Sequence, residues 1–112
     1  MSKRHWRLLV EDILECIERI EQYVAGLQVD AFKASQITVD ATVRNLEVIG
    51  EASRNIPEDV KEAHPELEWE KIVGLRNRVI HEYFGVDLDI IWRIVNDELP
   101  ALKAKMRELL AS

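Results

Sequence analysis

His5-Trp6-Arg7-Leu8-Leu9-Val10-Glu11-Asp12-Ile13-Leu14-Glu15-Cys16-Ile17-Glu18-Arg19-Ile20-Glu21-Gln22-Tyr23-Val24 decides the fold class. Trp6, Leu9, Ile13, Cys16, Ile17, Ile20, Tyr23 and Val24 recur at three- and four-residue intervals, with acidic residues between them. That is the period of a helix with one buried face. The spacing predicts a helix from about His5 to Val24, stopped by Gly26. Cys16 lies on the apolar face and reads as a small core filler.

The same period continues outward from this helix. A short turn of helix is expected over Val29 to Ala34, with Asp30 as N-cap. A second long helix runs from about Gln36 to Asn55, capped by Ser35 or Thr38 and followed by Pro57. Val39, Val43, Leu46, Ile49 and Gly50 form its apolar side, and Gly50 lets another helix approach closely. Asp40, Arg44, Glu47 and Glu51 make a polar stripe. It is either a solvated face with an Asp40–Arg44 pair or a surface turned towards a site. Pro57 opens a short helix to about Ala63, which His64-Pro65 ends, and His64 reads as inert.

A third helix is expected from Glu68-Trp69 to Tyr83 or Phe84, with Ile72, Leu75, Val79 and Ile80 as core and Gly85 as breaker. Asp87 caps a fourth, which holds Ile90, Ile91, Ile94, Val95, Leu99, Leu102, Met106 and Leu109. Pro100 removes the hydrogen bond to the carbonyl of Asn96, so a kink or break recapped by Asn96 or Asp97 is expected. No segment suggests a strand. The expected architecture is all-α, an antiparallel four- to five-helix bundle formed by residues 1–112 as one domain.

Composition narrows the function. Hydrophobic residues make up 47% and charged residues 32% of the 112, as in an ordinary folded chain. No apolar run approaches the length of a membrane span, no secretory signal is recognised, and the single cysteine fits a reducing cytoplasm. A formal charge of −6 argues against a broad nucleic-acid-binding face. Any such contact must be concentrated, and Arg76 and Arg78, with Lys71 a turn earlier, are the place for it.

Around those arginines lies Gly74-Leu75-Arg76-Asn77-Arg78-Val79-Ile80-His81-Glu82-Tyr83-Phe84-Gly85. His81 can move a proton near neutral pH, and the guanidinium of Arg76 can hold a phosphorane. RNA brings its own nucleophile, the 2′-hydroxyl, so its cleavage needs no metal. Asn77 could orient the His81 ring or bind phosphate, and Tyr83 could stack, donate a hydrogen bond or be modified. Glu51, on the polar stripe, joins Asn77 and Arg78 as a supporting or RNA-contacting residue. On a continuous helix Arg76 and Tyr83 are almost eclipsed, whereas Arg76 and His81 stand about 140° apart. Either the helix loosens near His81 or two copies meet across a two-fold axis, and a homodimer with a shared cleft satisfies both. Taken singly, the bland reading makes Arg76 a surface charge, His81 a helix-end residue and Tyr83 an anchor. No di-iron Glu-x-x-His pair, Cys/His metal spacing or Gly-rich phosphate loop occurs.

Arg76-Asn77-Arg78-Val79-Ile80-His81-Glu82-Tyr83 resembles the Arg-x4-His-x-Tyr signature of the HEPN superfamily, specifically its HepT-like group. The resemblance extends to Glu11-Asp12-Ile13-Leu14-Glu15, to Arg44-Asn45-Leu46-Glu47-Val48-Ile49-Gly50-Glu51-Ala52, and to Phe84-Gly85-Val86-Asp87-Leu88-Asp89. It implies a helical homodimer with the motif Arg and His at the interface cleft, acting as a metal-independent endoribonuclease toxin. It implies a partner as well, a minimal nucleotidyltransferase antitoxin of the MntA type that transfers AMP from ATP onto the motif tyrosine. Arg76 and His81 would then be catalytic, Asn77 supporting and Tyr83 the acceptor, with no cofactor beyond that covalent AMP. The alternative is a non-catalytic module whose cleft docks nucleotide or the nucleotidyltransferase itself.

Overall fold

The computed structural model describes residues 4–81 and 85–112, the side chain of His81 excepted. Two 19-residue helices, α1 (Trp6–Val24) and α3 (Gln36–Arg54), pack along one another and supply nearly half of the core. Short helices α2 (Val29–Ala34) and α4 (Glu58–Ala63) connect the layers. Chain-late helices α7 (Leu88–Arg93) and α8 (Leu99–Ala111) are joined by a π-helical turn, Ile94–Glu98. Arg7 at the start of α1 donates to the carbonyl oxygens of Leu110 and Ser112, while Glu21 near its end takes Lys103 at 2.7 Å. These two ties make α1 and α8 antiparallel. Val10, Ile13, Ile17 and Ile20 of α1 meet Leu46 and Ile49 of α3 and Met106 and Leu109 of α8 in one buried cluster. The fold is all-α, a helical bundle as the periodicity requires.

Several local expectations hold for the physical reasons given. Ser35 caps α3 by accepting from the Thr38 amide, and Asp87 caps α7 by accepting from the Ile90 amide. Cys16 is 3% exposed, and burial pushes its thiol pKa up, as befits a packing residue rather than a nucleophile. A Cβ on Gly50 would stand 3.1 Å from the carbonyl oxygen of Val73, so the bare backbone is what admits the next helix. Among the described residues no helix is long and apolar enough to cross a membrane.

Other expectations are corrected. Asp30 lies in the first turn of α2 rather than at its cap, which is Gln28. Tyr23, assigned to the apolar face of α1, is 37% exposed, while Val24 beside it packs against the core. Asp40 accepts from Gln36 at 2.7 Å, one turn back, instead of pairing with Arg44. The interruption expected at Pro100 is present, since a π turn divides α7 from α8 just ahead of it, but neither Asn96 nor Asp97 recaps the chain. The turn before Pro100 widens, so that the Leu99 amide donates to the carbonyl of Ile94, five residues back, while the Asn96 side chain donates to the carbonyl of Trp92. The wider turn is the form the interruption takes, and it leaves Pro100 in the first turn of α8, where its missing N–H costs nothing.

The largest correction concerns the third helix. It exists only as two single turns, α5 (Trp69–Val73) and α6 (Leu75–Val79), divided at Gly74. Ile80 is already extended, at φ −109° and ψ 119°. Where no strand is expected, β1 (Ile80–His81) pairs antiparallel with β2 (Gly85–Val86), Ile80 opposite Val86 and His81 opposite Gly85. Adjacent β-branched residues Val79 and Ile80 favour this switch, and Gly85 at φ 73° accepts a turn other residues resist. The Asp87 amide then closes the hairpin onto the carbonyl of Val79 at 2.9 Å.

Candidate active site

The site is built on α6, five residues long. Leu75 and Val79 are buried, 3% and 0% exposed, and a helical turn that sinks those two must raise the residues between them. Arg76 and Asn77 are accordingly exposed. Nε of Arg76 stands 3.7 Å from a carboxylate oxygen of Glu47 on α3, with 62% of the arginine side chain in solvent. Beyond hydrogen-bond reach and largely hydrated, this pair restrains the guanidinium only weakly. Arg76 therefore remains able to reorient onto an anion.

Part of the polar stripe of α3 does face the motif, and the residue that reaches it is Glu47. Glu51 instead lies 3.6 Å from Arg54 on its own helix. Arg78 points elsewhere. Its fork meets both carboxylate oxygens of Glu98 on the π turn, at 2.9 and 2.6 Å, with each side chain less than a third exposed. The hydrogen bonds from Arg78 hold the Glu98 carboxyl below the usual carboxylate range, against the opposing effect of burial, and Glu98 raises the arginine in return. Lys71 adds its ammonium 3.8 Å from Glu98 and 3.8 Å from Glu68. The basic trio expected for nucleic acid is thus divided. Lys71 and Arg78 are engaged with carboxylates of their own chain, and Arg76 alone of the three is turned towards α3.

His81 enters the hairpin directly after α6, at Cα register with Gly85. Its side chain is outside the described part of the structure, and so are Tyr83 and its neighbours Glu82 and Phe84. The helix ends at Val79, so the 140° offset of a continuous helix does not apply to Arg76 and His81. That offset therefore gives no argument for two copies. Among the described residues no group of three or more His, Cys, Asp or Glu is placed to hold a metal ion. Glu98 was not foreseen, for it lies twenty positions from Arg78 on another element. The only trace in the sequence is the polar run Asn96-Asp97-Glu98 just ahead of Pro100.

An α-bundle that lifts an Arg–Asn pair on one exposed turn and then reverses at a histidine fits the class that the motif suggested. The chain belongs to the ribonuclease HepT-like family, whose model matches residues 13–109. Among its relatives is a "Probable ribonuclease HepT" of Thermococcus cleftensis, 42% identical over 107 residues that cover 96% of this chain and 97% of the relative. A "Putative RNase" of Caldanaerobacter subterraneus is 38% identical over 104 residues, 93% of each chain. A further "Putative RNase" of Methanocaldococcus jannaschii is 38% identical over 106 residues, covering 95% of this chain and 97% of the relative. No solved structure matches the chain significantly.

Proposed function

We propose that the protein is a metal-independent endoribonuclease, the toxin of a toxin–antitoxin pair, silenced by transfer of AMP onto Tyr83. The observation that carries this reading is Arg76, solvent-exposed and loosely held on a turn whose other face is sunk in the core, five residues ahead of the motif histidine. Family membership and the ribonuclease names of the relatives support it.

In the reaction the 2′-hydroxyl attacks the adjacent phosphorus and the bond to the 5′-oxygen breaks. This leaves a 2′,3′-cyclic phosphate and a 5′-hydroxyl. His81 takes the proton of the attacking hydroxyl or returns one to the leaving oxygen. Arg76 lays its guanidinium on the phosphorane, whose charge exceeds that of the starting diester. Asn77 orients the imidazole or binds a phosphate oxygen. A homodimer would bring two such motifs together and supply a base and an acid at once. Adenylate on Tyr83 adds negative charge beside the motif and so repels RNA. The donor is a minimal nucleotidyltransferase using ATP, and the setting is the cytoplasm.

Purified protein should cleave RNA in the presence of chelator, and His81→Ala should abolish cleavage while leaving the circular dichroism spectrum unchanged. Cleavage that survives His81→Ala, or that chelator removes, overturns the mechanism. Co-expression with the partner nucleotidyltransferase should add mass in AMP units, and Tyr83→Phe should remove that addition.

A further inference from the structure

We propose that Glu98, on the π turn, is a positioning residue: through its fork with Arg78 it fixes α6 so that Arg76 and Asn77 face the substrate. The proposal rests on the ribonuclease reading above for what Arg76 does. Its structural part stands on geometry alone.

A five-residue helix cannot hold itself, because one turn gains too few hydrogen bonds to offset the ordering of its backbone. Only Leu75 and Val79 fix α6 by burial. On one flank it borders an open cleft of 170 Å³, lined by Leu67, Ile72, Leu75, Ile94 and Leu102 and flanked by Arg78 and Glu98. Packing is therefore incomplete on that side, and α6 could roll towards the gap. What spans it is the pair of hydrogen bonds from Arg78 to Glu98. A bidentate fork fixes direction as well as distance, which a single contact or a lysine would not do.

The other end of the strut is firm. Ile94 and Leu99, which bound the π turn, are 1% and 2% exposed, so Glu98 is carried on backbone locked into the core. The turn itself is widened beside Pro100, and π turns of this kind re-aim side chains at functional sites. Arg78 and Arg76 lie two positions apart, about 200° around a helix. Holding the first towards Glu98 therefore turns the second to the opposite side, where Glu47 stands. Lys71, 3.8 Å from Glu98, adds charge to the same strut without fixing a direction.

The test uses Glu98→Gln, which keeps shape and removes charge, in the full-length protein. Arg78→Lys, which keeps charge and loses the fork, is the second variant. In Glu98→Gln the amides of residues 75–80 should exchange faster with solvent, while those of α1 and α3 stay as in the wild type. RNA cleavage should lose about ten- to a hundredfold in kcat with KM within about twofold, the scale of a misplaced catalytic group. Glu98→Asp should recover part of the rate. In an Arg76→Ala background Glu98→Gln should cost much less than in the wild type, because most of its effect passes through Arg76 and only the rest through Asn77.

The proposal is overturned if folded Glu98→Gln keeps the wild-type kcat, if its loss multiplies with that of Arg76→Ala, or if exchange over 75–80 does not change. A fall in KM with kcat unchanged also overturns it, since Arg78 released from Glu98 would then be binding RNA directly. If the wild type cleaves no RNA, the nuclease reading fails, and exchange over 75–80 still decides whether Glu98 holds α6.

Discussion

The α1–α3 pair and the run from α5 to β2 differ in what holds them. The first is two 19-residue helices that bury side chains along their whole length, including Val10, Ile13, Ile17, Leu46 and Ile49, each 0% exposed. The second breaks twice within a dozen residues, at Gly74 and after Val79, and among its described residues buries Ile72, Leu75 and Val79 alone. Its shape depends on discrete ties: the Arg78–Glu98 fork, the Asp87 amide on the carbonyl of Val79, and the close approach over Gly50. Burial along a helix is redundant, so losing one contact weakens the whole evenly. Discrete ties are not redundant. The chain thus sets its candidate catalytic turn on the part of the fold that can be adjusted without unfolding the rest.

The largest effect should come from the redundant region. Ile17→Ala removes a fully buried side chain at the heart of α1 and should cost about 2–5 kcal/mol of global stability in urea titration. Hydrogen exchange should rise throughout the molecule. If it rose in α5–β2 alone, the division between the two regions would be wrong.

Gly50→Val should cost less, about 1–3 kcal/mol, because the added carbons meet the carbonyl oxygens of Val73 and Ile72 at 3.1 and 3.4 Å. Backbone oxygens cannot swing aside, so α5 must move as a unit. RNA cleavage should then fall while α1–α3 amides stay protected. A variant that loses protection everywhere would mean that α5 belongs to the main core.

A third effect follows from pH and is smaller again. Arg78 lowers the pKa of Glu98 in the fold, so the pair adds stability at pH values above the ordinary glutamate range and loses it as pH falls. Lys71 and Arg93 act in the same direction on this carboxyl. The difference in melting temperature between wild type and Glu98→Gln should be constant near neutrality and begin to shrink as pH falls into the ordinary glutamate range, about 4. It should vanish once pH passes below the lowered value of Glu98 in the fold. A gap that persists in strong acid would exclude the charged pair as its origin.

The two regions were also unequally legible in the sequence. Helices α1 and α3 follow from the spacing of Leu9, Ile13, Ile17 and Ile20 and of Val39, Val43 and Leu46, because burial on one face imposes that spacing. Ser35 and Asp87 were legible as caps for an equally local reason, a side-chain oxygen within reach of amides three residues on. At Arg76–Tyr83 the same period misleads. Leu75 and Val79 keep helical spacing, yet the next residue turns extended, because the hairpin to Val86 and the Asp87 amide satisfy its backbone better. Those partners lie beyond the window in which periodicity speaks. Glu98 is further still. Of the expected site, Arg76 was legible as an exposed cation, whereas the partner of Arg78 depends on how two distant elements pack.

Redundancy also tolerates imperfection, and Thr42 offers the gentlest test of the comparison. It lies on α3 at 0% exposure, and its hydroxyl has no hydrogen-bond partner among the described residues. Burying that group unpaired costs free energy that the surrounding packing outweighs. Thr42→Val keeps the shape and replaces the hydroxyl with a methyl group. It should leave stability unchanged or raise it by up to about 1 kcal/mol, read from the urea midpoint at constant m-value. RNA cleavage should not change, because the substitution keeps the shape that the neighbouring side chains pack against. A loss of stability would mean that the hydroxyl finds a partner in solution, and that the long helices, too, depend on particular ties.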